Sequence, residues 1–473
     1  MPPPSTSPVR VVGAAPQLFV DMQDVERREN VVRTFHQAVK HGAHPVLRQG
    51  ARWESNGGMT ASIIYDAADG VFKAWYMAGF YAPGAGHVQC LATSTNGLYW
   101  DRPPLGLHEA LGSKDNNIVI PASHHDGKDH WETMLKDPLD PDSQRRYKAI
   151  GWSSYDWDGP LAGIYGATSP DGLRWSHTRE PLFRFHPRAG TNDLGPVGDA
   201  QSLMIDTRRR RYVAFLRGSG ATRGSRLASV SEDFDFWTAP RPFLRALHEE
   251  EALYNNTGFV YGDQYLGFLT HFDKRPREQT QTVRLLTSRD GEMWDRVPGK
   301  PLIPLGGIGE WDRFQIMLTG APPIPVEDRL YIYYRGTARR HNKVPREYDA
   351  RIAPDQDPRT MAIGLATLRL DGFASLDASY DGGTVVTTPL LLDGAALSLN
   401  VKADYGEVRV ELLDEGGQPL PGYGEDDCLP VQTDGVAVHV RWRERRSVAG
   451  LAGNVSKLRF VLRNARLYSY RCV

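Results

Sequence analysis

Four acidic side chains stand just ahead of strand-like stretches in successive parts of the chain: Glu54, Glu132, Asp199 and Asp312. Three directly follow a tryptophan, as Trp53-Glu54, Trp131-Glu132 and Trp311-Asp312, whereas Asp199 follows Gly198 in GPVGDAQSLMID. Carboxyl groups crowded into a confined site repel one another, so one stays protonated and can donate while its neighbour stays ionised and can attack or activate water. These four are the candidate catalytic residues, with Asp199 and Glu54 expected in the acid/base or nucleophile roles and Glu132 and Asp312 as orienting acids; Asp199 leads because it precedes a well-defined strand and belongs to no shared turn. Each also has a structural reading: Asp199 as a cap on backbone N–H groups, Glu54 as a surface residue before Gly57 and Gly58, Asp312 as the partner of Arg313. Asp129, Glu249, Glu250, Glu251 and Glu310 lie at comparable places and stand in reserve. Trp53, Trp131, Tyr254 and Trp311 offer flat faces for a ligand, and Asn255, His271, Arg335 and His36 offer polar contacts, with Arg33, Arg217 and His341 beside them. No HExxH, Walker loop or dinucleotide fingerprint occurs, so no metal or cofactor is expected; a structural Ca²⁺ where several oxygens converge stays as an alternative.

The elements that must position these residues form a repeat. A six-residue step from Ser to Trp occurs as Ser94–Trp100 in ATSTNGLYW, Ser169–Trp175 in ATSPDGLRW, Ser231–Trp237 in SVSEDFDFW and Ser288–Trp294 in LTSRDGEMW, with a degenerate fifth copy, LATLRLDGF, from Leu365 to Phe373. Two strand-like stretches rich in β-branched and aromatic residues precede each copy: SIIYD and FKAWY, TMLKD and YKAIG, SLMID and YVAFL, GFVYGD and YLGFL, PIPVED and LYIYY. The first of each pair ends in a turn acid, Asp66, Asp137, Asp206, Asp263 or Asp328, whose short carboxylate can bond back to the chain. The Ser-to-Trp motif itself reads as a hairpin turn closed by a packed indole, which is architecture and not chemistry. Five four-stranded units at this spacing predict a five-bladed β-propeller over residues 50–376. The starts of the innermost strands then converge on the axis, where the four acids fall.

Residues 1–49 read as a lead-in that packs across the propeller or closes its ring, and residues 377–473 as an antiparallel β-sandwich of alternating strands with Gly and Asp turns. The chain is thus expected to be all-β. Its 473 residues carry 56 basic and 57 acidic side chains, which argues against a nucleic-acid or anionic-membrane partner. Three scattered cysteines, Cys90, Cys428 and Cys472, fit a reducing compartment without a disulfide framework. With no leader-like or membrane-length apolar run, a cytoplasmic location is expected; the oligomeric state is not readable.

The repeat block followed by a strand-rich C-terminal segment resembles the glycoside hydrolases of family 32, and the repeat block alone resembles families 43, 68, 117 and 130. DRPPLGLHEALGSKDNNIVI from Asp101 to Ile120, together with RLDGFASLDA and LRFVLRNARLYSY, is similar to a bacterial group of family-32-like glycosyl hydrolases. This resemblance covers nearly the whole chain. It implies a glycosidase working by carboxylate acid/base chemistry in the propeller's central pocket on a small glycoside or oligosaccharide, with a further carboxylate orienting the sugar. LKDP, from Leu135 to Pro138, looks like the family's Arg-Asp-Pro motif, but Asp137 coincides with the turn acid shared by the repeats. The family's Asn-Asp-Pro-Asn and Glu-Cys motifs are missing, so acid and nucleophile roles stay unassigned. Three rival readings share the fold: a glycoside phosphorylase with phosphate held by cations such as those of TARRHNK, a fructosyl or arabinosyl transferase, and a propeller that only binds sugar or protein.

Overall fold

The computed structural model describes residues 9–43, 45–54, 59–79, 87–121, 129–153, 161–186, 196–219, 222, 224–275, 278–341, 361–445, 447–451 and 453–473. Among them the regular structure is all β, apart from short 3-10 turns.

The paired stretches read from the sequence form successive antiparallel sheets. The first contains Ala61–Asp66, Val71–Gly79, His87–Ser94 and Ile118–Ile120, in chain order. The second contains Asp129–Lys136, Tyr147–Ser153 and Gly163–Ser169, edged by the short strands Ser176–His177 and Phe183–Arg184. The third contains Val197–Asp206, Arg211–Gly218, Ser225–Ser231 and Arg241–Arg245. Glu251–Tyr261, Gln264–Asp273, Thr280–Ser288 and Asp295–Arg296 form the fourth repeat, which is not a separate sheet: Gln281 of Thr280–Ser288 pairs in parallel with Gln315 of Gln315–Leu318, so the fourth and fifth repeats share one nine-stranded sheet. In the fifth repeat Gln315–Leu318 and Ile324–Val326 both pair with Arg329–Thr337, which pairs with Ala362–Arg369. Its outer strand comes from the start of the chain: Val39–Lys40 pairs with Ala362–Arg369. First strands of four repeats, through Ile64, Leu135, Leu203 and Phe259, line a cavity of about 260 Å³, to which the fifth repeat adds Gly320 and Pro322 from the segment between its strands.

The Ser-to-Trp motif is a backbone device in every full copy. The hydroxyls of Ser94, Ser169, Ser231 and Ser288 accept the N–H three residues on, at 2.8–2.9 Å. That third residue has positive φ; it is glycine in three copies, and Phe234 takes the strain in the other. A second device ties neighbouring repeats. Tyr147 donates to Asp66 at 2.8 Å, Tyr212 to Asp137 at 2.6 Å and Tyr265 to Asp206 at 3.0 Å, each hydroxyl reaching the turn acid of the preceding repeat. Asp263, the turn acid of the fourth repeat, instead takes Arg289 at 2.8 Å, the Leu18 N–H at 3.1 Å and Arg10. Thus the lead-in supplies the tether there.

The C-terminal strands build two further sheets. One joins Leu390–Leu392, Val455–Arg463, Gly383–Thr387 and Glu407–Leu413; the other joins Asp434–His439, Leu397–Lys402, Ala465–Cys472 and Ala374–Ala378. Lead-in strands edge both: Arg10–Val12 and Val25–Glu29 enter the first, Gln17–Leu18 and Val32–Phe35 the second. Their facing side chains, including Val385, Leu399, Val410, Trp442, Phe460 and Leu467, form one buried core. The lead-in therefore belongs mostly with the C-terminal sheets, and these begin at Ala374, slightly ahead of the boundary read from the sequence. Cys90, Cys428 and Cys472 are buried and unbridged. Among the described residues no helix is long and apolar enough to cross a membrane.

Candidate active site

Three of the innermost strands break register at the same end. The pairing slips between Trp131 and Thr133, between Val197 and Gln201, and between Leu253 and Asn255. Glu132, Asp199 and Tyr254 sit at these three irregularities. A bulge bends the strand and re-aims the extra side chain, which is why bulges gather beside functional sites.

The re-aimed side chains feel one another's charge: Asp199 acts on Glu132, and both act on Tyr254. Glu132 keeps a little surface exposed, yet the protein packed round it excludes enough water to raise its carboxyl to about 7. Burial is the main cause; Arg335 and Arg226 oppose it, Asp199 adds to it, and the Gln201 N–H favours the charged form. Asn255 Nδ2 lies 3.4 Å from Glu132 Oε2. Asp199 accepts from Arg217 Nη1 at 2.8 Å, with both side chains about one-third exposed. The Arg217 guanidinium lies 5.1 Å over the Tyr254 ring, and the Tyr254 and His341 ring centroids are 5.0 Å apart in an edge-on contact. Burial raises the Tyr254 phenol and lowers His341 and Arg335. His130, stacked on Trp152 at 4.0 Å and touching His87, is held well below its usual pKa by burial.

Arg226 joins this group from the third strand of the third repeat, where it stands directly across from Arg217. It is fully buried, and its guanidinium reaches Asn256 Oδ1 at 2.7 Å and the carbonyls of Ala200 and Tyr254, both at 3.1 Å. Buried polar atoms without partners cluster around these strand ends: Thr60 Oγ1, Thr133 Oγ1, both Gln201 amide atoms, Asn255 Oδ1 and Thr257 Oγ1. Such groups are rare in a folded interior and are expected where a ligand or solvent completes the bonding.

The other candidates are placed elsewhere. Glu54 is buried, but its carboxylate accepts the N–H groups of Gly50 at 2.6 Å and Ala51 at 3.0 Å, Arg102 Nε at 2.8 Å and the Tyr76 hydroxyl. Burial opposes the charge, but Arg102 and these hydrogen bonds leave its pKa lowered, so it is a structural anion and not a proton donor. Asp312 is fully buried, 2.7 Å from Lys40 and 2.8 Å from the Tyr334 hydroxyl; it fastens the chain-closing strand. Trp53 donates to Asn117 Oδ1 at 2.9 Å, and Trp131, 3% exposed, stacks on His177 inside a core. Trp311 stacks on Tyr334 at 5.8 Å. His271 lies 3.4 Å from Glu251, and His36 bonds Ser375 at 2.7 Å where the C-terminal sheets begin. In each case a contact distant in sequence occupies the side chain. Of the reserve acids, Glu251 is held by Arg296 at 2.5 Å, not solvated. The cations of TARRHNK lie partly beyond the described residues, which end at His341 there. No group of His, Cys, Asp and Glu able to hold a metal occurs among the described residues.

Arg226 is the residue that sequence reading passed over. Its signal was a lone charge in the otherwise apolar and small strand SRLASVS.

The chain matches no family model and no curated protein. The resemblance to family 32 thus has no family match behind it. Similar solved structures include a glycosyl hydrolase from Bacteroides ovatus, at 13% identity and TM-score 0.48 over 71% of this chain and 94% of that one. A structure from work on the GH130 family of mannoside phosphorylases and glycoside hydrolases aligns at 14% identity and TM-score 0.47, over 71% and 94%. An N-acetylgalactosamine deacetylase from F. plautii aligns at 15% and 0.47, over 72% and 96%. Glycoside hydrolases are therefore among the structural neighbours, at identities too low to transfer the role of any residue.

Proposed function

We propose that the protein is a glycoside hydrolase, built on a five-bladed β-propeller with a C-terminal β-sandwich, that cleaves a small glycoside or oligosaccharide between Glu132 and Asp199. The observation that carries this reading is the pair itself: a carboxyl raised to about 7 beside a second one engaged by Arg217, both at bulged ends of inner strands. Glycosidic cleavage needs one protonated and one ionised carboxyl on either side of the bond. Glu132 is the acid that protonates the leaving oxygen. Asp199, oriented by Arg217, attacks the anomeric carbon or activates water. Tyr254 and Asn255 border the space between them and orient the sugar ring.

The test is turnover of a panel of aryl glycosides and oligosaccharides by the full chain. Glu132→Gln should lower kcat about 10²- to 10⁴-fold on substrates with poor leaving groups. Dinitrophenyl glycosides, which need no protonation to depart, should retain much of their rate in that variant. Asp199→Asn should lose activity on both kinds. Undiminished turnover by either variant on alkyl glycosides sinks the assignment.

A further inference from the structure

Among the described residues, the cluster around Glu132 carries more positive charge than its two carboxyls balance. Arg217 is matched by Asp199 at 2.8 Å, but Arg226 and Arg335 form no ion pair among the described residues, and both face Glu132. A guanidinium keeps its proton even when buried, and a buried charge without a counter-charge is strongly unfavourable. Arg226 is fully buried, and its three bonds go to neutral acceptors, the Asn256 amide oxygen and two backbone carbonyls. Those bonds use Nε and Nη1 and set the guanidinium plane, while Nη2 is buried with no partner. Among the described residues Arg335 has only Met317 Sδ against its Nη2, and its charge is felt by Glu132, Tyr254, His130 and His341. A guanidinium held in a fixed plane with a free edge is the geometry that binds an oxyanion.

We propose that Arg226 and Arg335 form an oxyanion subsite beside Glu132, which holds a negatively charged group during catalysis: a carboxylate on the sugar, or a phosphate that takes the place of water. This rests on the pocket being the glycoside-cleaving site. With a uronic-type sugar the two arginines fix the ring by its carboxylate, and hydrolysis proceeds as above. With phosphate, one phosphate oxygen bonds to the anomeric carbon as the glycosidic C–O bond breaks, and Glu132 gives its proton to the departing oxygen. A sugar phosphate and a free alcohol result.

Calorimetric titration of the full chain with inorganic phosphate, glucuronate, galacturonate and the matching neutral sugars reads the subsite without turnover. At least one oxyanion should bind tenfold or more tightly than its neutral counterpart, and Arg335→Met should abolish that preference. Arg335 is partly exposed, so this variant avoids the folding risk of replacing buried Arg226; Arg226→Lys is the second arm and should weaken binding at least tenfold. Binding of a uronate alone assigns the subsite to the substrate's carboxylate, whereas phosphate binding with phosphate-dependent turnover assigns it to the co-substrate. Equal binding of charged and neutral sugars with no phosphate binding, or a preference that survives Arg335→Met, overturns the subsite. If neutral glycosides are still cleaved then, the hydrolase reading stands by itself; oxyanion binding with no cleavage of any glycoside would leave the subsite and remove the hydrolase.

Discussion

Replacing Glu132 with glutamine keeps the side chain's size and its uncharged hydrogen-bonding character while removing its titration. The folded protein raises this carboxyl from 4.5 to about 7. Between those values the folded state keeps a proton that the unfolded chain has released. The contribution of this group to stability is therefore complete below pH 4.5 and is lost as pH rises to about 7. At about 1.4 kcal/mol per pH unit the whole window is worth at most about 3 kcal/mol. For 473 residues, each adding about 2 cal/mol/K of unfolding entropy, that corresponds to about 3 °C in Tm. The assay is scanning calorimetry of wild type and Glu132→Gln side by side across this window. Titrating groups that do not interact with Glu132 cancel in the difference, so the variant's Tm should gain about 3 °C on the wild type between the acid and neutral ends. In the same range wild-type kcat/KM should fall as pH rises through about 7, since the required acid loses its proton. A difference in Tm that stays flat with pH would refute the claim that the fold keeps this carboxyl protonated.

Three other substitutions separate structure from chemistry. Glu54→Gln should cost about 3 kcal/mol in urea unfolding, because Arg102 loses its partner within a network of short hydrogen bonds, while kcat per folded molecule stays the same. With its pKa lowered, the stabilisation from Glu54 is present at neutral pH and disappears on acidification through that lowered value, so wild type and variant should converge in acid. Gly320→Ala places a Cβ against the Glu132 carbonyl oxygen; kcat should drop at least about tenfold through displacement of the acid, with kcat measured before and after thermal challenge to exclude unfolding. Tyr212→Phe removes the 2.6 Å bond to Asp137 and should cost about 1 kcal/mol by denaturant titration without altering the pH profile of kcat.

Local chemistry made the strands legible. Tyr147, Tyr212 and Tyr265 lie in the first two residues of second strands, where the aromatic pattern puts them, and Asp66, Asp137 and Asp206 bond back to the chain in the turns as read. The bulges were not legible, because a strand written as DHWETMLK alternates no differently for having an extra residue; only the partner strand shows the slip. Glu54 and Glu132 look alike in sequence, each behind a tryptophan, and part company only through Arg102 and Tyr76, 48 and 22 residues beyond Glu54. The periodicity of side chains tells which residues lie in strands. It does not tell which carboxylate will be consumed by a cation from elsewhere. Arg226 escaped for the complementary reason, since a third strand was not expected to send a side chain back to the first strand of the next sheet.

The pairing of Val39–Lys40 with Ala362–Arg369, and of Arg10–Val12 with Leu390–Leu392, imposes an order on biogenesis. Both lead-in strands have their strand partners more than 300 positions later in the chain, so neither can take its place in a sheet until those residues have been synthesised. Four repeats can assemble during translation, yet the closing sheet and both C-terminal sheets keep open edges to the last. A chain that stopped before Val455 would lack the strand with which Gly383–Thr387, Leu390–Leu392 and Glu407–Leu413 all pair, leaving those edges open.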